Sequence, residues 1–281
     1  MDLGRVGVWS GQARAGEPGV AAETAATIEQ LGYGALWIPG GAGGDILERC
    51  EAALGATTSL VLAPGILNIW RHDAVEVAAR TAELSTSSGG RFLLGLGVSH
   101  ELLIQAEYVA PLSKMRSYLD ELDAAGQPPD VRALAALRPK MLHLAAERSA
   151  GAHPYFMPPE HTAFAREALG AGPLLAPEQT VVLESDPSAA REIARPFVAG
   201  YLRLPNYTNP LRELGYTDDD LSDAVSDRLV DAIVSWGTPA QVASRVQAHL
   251  DAGADHVCIQ VIGPRDASPV DALRELAPAL L

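Results

Sequence analysis

Val6-Gly7-Val8-Trp9-Ser10-Gly11-Gln12-Ala13 opens the chain with a short apolar run and the loop that follows it. An open doubly wound sheet that binds a dinucleotide would place Gly-x-Gly-x-x-Gly at this first turn, where only glycines let the backbone approach a pyrophosphate. The loop lacks that spacing. Working outward, eight β-rich runs alternate with longer helical patterns: Val6–Trp9, Ala35–Ile38, Leu60–Leu67, Phe92–Gly97, Val131–Leu137, Ala152–Phe156, Thr180–Glu184 and His256–Ile262. Most are continuously apolar, as strands covered on both faces must be. Eight strand-helix units predict an α/β fold, an eight-stranded parallel β/α (TIM) barrel over residues 1–281 as one domain.

Helix boundaries carry local signals. Asp186-Pro187, Thr238-Pro239 and Ser268-Pro269 each set a capping side chain before a proline at the first helical position, and Gly32, Gly126 and Gly253 are expected stops. Residues 203–236 are extra material between the seventh and eighth strands. Leu204-Pro205-Asn206-Tyr207-Thr208-Asn209-Pro210 reads as a turn-rich loop, and Asp218-Asp219-Asp220 as a solvated helix start. This excursion is expected to cover the barrel mouth or to form a subunit contact.

Composition narrows the function classes. The 281 residues are 48% hydrophobic and 20% charged, enough apolar surface for a large core. A net charge of −14 opposes binding to nucleic acid or anionic lipid, so an anionic ligand needs a local basic pocket. No apolar run reaches the length of a membrane span, and the two cysteines, Cys50 and Cys258, are too few for a disulfide framework. A cytoplasmic protein is expected.

In a parallel barrel, chemistry belongs at the C-terminal ends of the strands. Pro64 and Gly65 interrupt the third run, since proline cannot donate to a ladder and glycine offers nothing to pack. A bulge is expected there, serving either to turn the chain or to push backbone under a flat ligand. The fourth strand ends Gly95-Leu96-Gly97-Val98-Ser99-His100-Glu101, where small residues allow close approach of a phosphate or equally of a packed helix. After the fifth strand, Arg138 and Lys140 flank Pro139 at a helix start. Cations there oppose the macrodipole unless an anion lies between them and the free amides; otherwise both reach into solvent.

The seven histidines lack metal-ligand spacing, and no metal is expected. His100 and His153 stand at strand ends, where an imidazole suits proton transfer or plain structural bonding. No Gly-x-Ser-x-Gly elbow is present, and an isomerase or aldolase barrel would need a strand-end lysine, for which Lys140 lies too far into its helix.

Several segments together resemble the luciferase-like flavin and deazaflavin oxidoreductases, in particular the short branch that uses coenzyme F-420. They are Ile28-Glu29-Gln30-Leu31-Gly32-Tyr33 leading into Ala35-Leu36-Trp37-Ile38, Ala63-Pro64-Gly65-Ile66-Leu67-Asn68-Ile69-Trp70, Ser88-Gly89-Gly90-Arg91 leading into Phe92–Gly97, and Trp236-Gly237-Thr238-Pro239 followed by Asp251–Val257. The resemblance implies the same eight-stranded barrel, with a tricyclic ring over its mouth backed by a non-proline cis peptide that maps to Gly65-Ile66. It implies ring contacts from Gly40 and Gly41, and a phosphate tail near Gly97, Val98, Ser99, Ala135, Ala136 and Leu137, with Arg138 and Lys140 beside it. The implied reaction is hydride transfer between F-420 and a small organic substrate, with FMN and monooxygenation as the alternative cofactor and reaction. His100 falls where some relatives carry an acidic catalytic group, with Glu101 and His153 as further candidates, while Trp9, Trp70 and Tyr155 are expected to line the substrate pocket. Relatives are commonly homodimers. One departure is Gly40-Gly41, where relatives often have an Asp-His pair; it raises the alternative of a barrel that binds a ligand without turnover.

Overall fold

In the computed structural model, which describes residues 1–40, 45–264 and 268–281, every strand is parallel to its neighbours. The strands are β1 (Val6–Trp9), β2 (Ala35–Ile38), β3 (Val61–Pro64), β4 (Leu67–Asn68), β5 (Leu94–Gly97), β6 (Arg132–Leu134), β7 (Gly151–Ala152), β8 (Leu174–Leu175), β9 (Glu178–Val182), β10 (Val234–Trp236) and β11 (Val257–Val261). They form a six-stranded ladder, β10-β9-β11-β1-β2-β3, and a five-stranded one, β4-β5-β6-β7-β8. Backbone bonds connect the two ladders at two places. At one, Leu62 N donates to Arg91 O and Leu93 N to Leu62 O, both at 2.9 Å. At the other, Ala176 N donates to Ala152 O at 2.9 Å, and Cys258 N to Pro177 O at 3.0 Å. Taking β3 with β4 and β8 with β9 as broken staves leaves nine, of which eight follow barrel order while β10 is an added edge beside β9.

Prolines explain the breaks and the shortened strands, because each removes a ladder donor. The run read as one strand over Leu60–Leu67 splits after Pro64, and the Gly65–Ile66 peptide is cis. The run Val131–Leu137 shrinks to β6 because Pro129–Val131 is a 3-10 turn, and Ala135–Leu137 already belongs to the loop beyond. The run Ala152–Phe156 is only β7, since Pro154 follows and Phe156 takes a φ of 62°. The seventh run starts two residues earlier than Thr180, at Glu178, once Pro177 is passed, and ends at Val182.

The excursion departs most from the sequence reading. Leu204–Pro210 is not a loop: Pro205–Glu213 is helical, with Pro205 at the first position, where no N–H is needed. Burial of Tyr207, Thr208 and Leu211 outweighs the bond lost at Pro210. Nor do the aspartates start a helix. Asp220 is buried and accepts from Thr217 N, Ser226 Oγ and Arg228 Nη1, which hold its carboxyl down at about 2. The next helix begins at Asp227, capped by Ser226.

Apolar residues pack between sheet and helices, while the barrel interior holds mostly small side chains around Trp37. The His153 ring stacks on Trp37 at 4.1 Å, and Trp37 Nε1 donates to His256 Nε2 at 3.2 Å. Among the described residues, no helix is long and apolar enough to cross a membrane.

Candidate active site

The C-terminal ends of β2, β3 and β5 meet around the Pro64-Gly65-Ile66 backbone, and the glycines there have a steric cause. A Cβ on Gly40 would collide with Ile66 O, and one on Gly95 with Pro64 O. A Cβ on Gly97 would lie 2.5 Å from Ile66 Cγ1 and 3.3 Å from Ala135 Cβ. Gly65 itself is hemmed in by Trp9 Nε1, 2.8 Å from where its Cβ would sit, and by His153 Nε2 at 3.4 Å. A backbone ledge results in which Gly40, Gly65, Ile66, Gly97 and Ala135 come together, with the Ile66 side chain against Gly97 and Trp9 and His153 beside Gly65. Gly41 lies outside the described residues.

Aromatic rings connect this ledge to the strand-four loop. Trp9 lies 5.3 Å from Tyr155, Tyr155 lies 6.2 Å from Tyr207, and Tyr207 lies 5.3 Å from His100. Tyr155 OH donates to Gln260 Oε1 at 2.7 Å and lies 2.9 Å from Tyr201 OH. Tyr207 comes from Pro205–Glu213, a capping helix that lies against the strand-four loop. Asn206 on the same helix donates from Nδ2 to Ser99 O and to His100 Nδ1, both at 3.2 Å.

The three acid-base candidates sit in different surroundings. His100 is half-buried, and burial lowers its pKa, which keeps the imidazole neutral near pH 7. His153 is fully enclosed and pushed down to about 4, chiefly by desolvation. A carbonyl can only accept, so His153 Nδ1 donates to Ala176 O at 2.7 Å; Nε2 has no partner, and neither has Trp9 Nε1. Glu101 is exposed at the start of a one-turn helix, outside the chain of aromatic rings.

Trp70 is not brought against Trp9 or Tyr155 by any described ring contact. Its Nε1 donates to Val98 O at 2.7 Å and its ring lies 5.7 Å from Tyr108, so it buttresses the strand-four loop. After β6, Ala136 is buried in the sheet-helix core and offers only backbone. Leu137 O accepts from His161 Nε2 at 2.8 Å. Arg138 and Lys140 are exposed at the start of the helix Pro139–Arg148, and Arg138 pairs with Glu213 of the capping helix at 3.0 Å.

Two site residues escaped the sequence. Glu178 is 1% exposed at the start of β9, accepts from Thr180 Oγ1 at 2.6 Å and Phe156 N at 3.2 Å, and is raised by desolvation to about 7. Its neighbours Pro177, Gln179 and Thr180 gave no signal of burial. Asn206 had none, because its partners lie more than a hundred positions away in the chain.

Among the described residues, no cluster of three or more His, Cys, Asp or Glu side chains is placed to hold a metal ion. Two clefts open at the opposite end of the strands, one lined by Asp123, Gln127, Arg132 and Arg148, the other by Arg5, Gly32, Val246 and Leu281.

The model of the luciferase-like monooxygenase family matches residues 1–125 and 122–256. No curated protein matches the chain. Among solved structures, an F-420-dependent secondary alcohol dehydrogenase in complex with an F-420-acetone adduct superposes with a TM-score of 0.77 at 14% identity, covering 99% of both chains. The coenzyme F-420-dependent tetrahydromethanopterin reductase of Methanopyrus kandleri gives 0.76 at 16% identity over 98% of both chains. The oxygenating constituent of 3,6-diketocamphane monooxygenase from Pseudomonas putida, in complex with FMN, gives 0.74 at 16% identity, covering 99% of this chain and 98% of that one. At such identities these likenesses speak for the fold.

Proposed function

The chain belongs to the luciferase-like monooxygenase family, and from that premise we propose that it is an oxidoreductase that uses coenzyme F-420 to move a hydride to or from a small organic substrate. The observation that carries this reading is the protruding backbone at Gly65-Ile66, which needs glycine at 40, 95 and 97. Backbone that protrudes at the end of a barrel strand suits the face of a flat ring. It also bears on the alternative of a binding barrel without turnover. Gly40 stands where relatives often carry an acid-base group because Ile66 O occupies that space, so its lack of a side chain is steric.

A bound deazaflavin supplies hydride donation or acceptance at its central ring carbon. The chain's own residues do the rest. Gly40, Gly65, Ile66 and Gly97 would seat the ring, while Val98, Ser99, Ala135, Ala136 and Leu137 would meet the phosphate tail through backbone and small side chains. Arg138 and Lys140 would supply the local positive charge that a chain of net charge −14 needs for an anion. Trp9, Tyr155 and Tyr207 would exclude water from the reacting carbon. His100 is the proton donor or acceptor in this reading: it is half-buried and neutral, and with Nδ1 accepting from Asn206 its proton resides on Nε2. His153 is too enclosed and Glu101 too exposed for that part. The protein acts as one barrel domain, working as a homodimer, with its excursion over the mouth.

FMN with monooxygenation is the second reading, favoured by the FMN-bound structural neighbour. Equilibrium titration with oxidised F-420 and with FMN, followed by tryptophan fluorescence, separates the two. Trp9 and Trp70 flank the proposed site and should report occupancy. Saturable binding of F-420 and not FMN is expected; tight FMN binding alone would move the assignment to the monooxygenase reading, and binding of neither would overturn the function.

A further inference from the structure

The strand-four loop reaches the mouth in an uncommon backbone conformation. Ser99 has a φ of 56°, a left-handed state that is unfavourable for a residue with a Cβ unless its surroundings hold it. His100, next in sequence, returns to extended backbone and precedes the one-turn helix Glu101–Ile104. The His100 side chain makes no cap bond to that helix.

The hold comes from across the mouth. Asn206 Nδ2 lies 3.2 Å from Ser99 O and 3.2 Å from His100 Nδ1. An amide nitrogen has two hydrogens and no lone pair to offer, so it can serve both acceptors at once. The first bond fixes the left-handed turn. The second requires Nδ1 to be unprotonated, which places the ring's single proton on Nε2. Tyr207, the next residue of the capping helix, lies 5.3 Å from the same imidazole. The groups beside His100 are thus Asn206 and Tyr207 from the capping helix and its own neighbours Ser99 and Glu101.

We propose that Asn206 is a positioning residue, whose side-chain amide holds His100 in the Nε2–H tautomer and locks the Ser99 turn that presents it. The inference rests on His100 being the proton-transfer group. Aspartate at 206 could only accept, so it would draw the ring proton to Nδ1 and stabilise the imidazolium. Alanine would leave the ring free to exchange tautomers. Two segments remote in sequence thereby act together, the strand-four loop carrying the imidazole and the excursion fixing its protonation pattern.

Histidine-selective 15N NMR, with the His100 signals assigned by His100→Gln and read without any cofactor, tests this directly. In the wild type, Nδ1 should show a pyridine-like shift and Nε2 a pyrrole-like one. Asn206→Ala should lose this separation through tautomer averaging, with the titration midpoint displaced. Asn206→Asp should move the midpoint upward and make Nδ1 pyrrole-like. Asn209→Ala, on the exposed side of the same helix, should leave all His100 signals unchanged. Should Asn206→Ala fail to fold by circular dichroism, Asn206→Gln, which displaces the amide by one methylene, must show the same loss. His100 signals and midpoint identical in wild type and Asn206 variants would overturn the proposal. Cofactor titrations in parallel keep the two ideas apart, since loss of F-420 and FMN binding speaks against the assigned function and leaves the tautomer result standing.

Discussion

The carbonyl oxygen of Ile66 occupies the space in which a side chain on Gly40 would begin. One residue ends the second strand of the barrel and the other forms the ledge after the third, so the missing side chain and the protruding backbone are one feature. Arg14 Nε donates to Gly40 O at 2.8 Å and holds the second-strand end from outside.

Gly40→Ala therefore has no conformational objection at its own φ, but its methyl group must displace backbone. It is expected to cost about 1–3 kcal/mol of stability and to abolish ring binding, as read by urea denaturation and cofactor titration. Gly55→Ala, at the end of the helix Ile46–Gly55 with nothing near its Cβ, is the control and should be neutral or slightly stabilising.

Glu178 gives the fold a pH dependence of definite sign. Its carboxyl is raised from 4.5 to about 7 by burial, so the folded protein binds this proton more tightly than the unfolded chain does. The stabilisation is complete below pH 4.5 and declines as pH rises through 7, by an amount on the order of 3 kcal/mol. Glu178→Gln keeps the acceptor for Phe156 N and should remove the decline; an unchanged slope between about pH 5 and 8 would exclude this origin.

The buried histidines act in the opposite direction. His153 and His256 are pushed from 6.5 to about 4 by desolvation and stay neutral in the fold. Their contribution is full above pH 6.5 and is lost as pH falls towards 4. In the Glu178→Gln background, where the opposing carboxyl is absent, unfolding midpoints should drop steeply across that window.

Arg138 is shared between its partner Glu213 and any anion at the helix start. Glu213→Gln should free the guanidinium and tighten binding of a phosphate-bearing cofactor by about fivefold, and Arg138→Ala should weaken it by a similar factor, each about 1 kcal/mol for exposed charges. Both effects should fade with added salt. Equal affinities in the two variants would show that the tail lies elsewhere.

His100→Ala should reduce turnover by about 100- to 10,000-fold while leaving cofactor affinity near the wild-type value. A drop in affinity of the same size would make His100 a binding group.

Much of the barrel was legible along the chain because each signal is local. The apolar run Ala35–Ile38 became a strand and Phe92–Gly97 became one over Leu94–Gly97, Thr238 with Gln241 formed its capping box, and Asp186 capped its helix through Ala189 N. Pro64 announced the broken third stave for the simple reason that it has no N–H to give. The glycines at 40, 65 and 97 were visible as candidates, but not as parts of one collision.

The chain order of apolar runs, caps and prolines thus determined the β/α alternation, since propensity and period are properties of near neighbours. Tertiary structure alone decided the rest. It made Pro205–Glu213 a helix, because burying Tyr207 and Leu211 outweighs the bond lost at Pro210. It raised Glu178 by taking it out of water, and it set Asn206 against His100. Burial and contact across a barrel mouth depend on residues distant along the chain, and no local pattern records them.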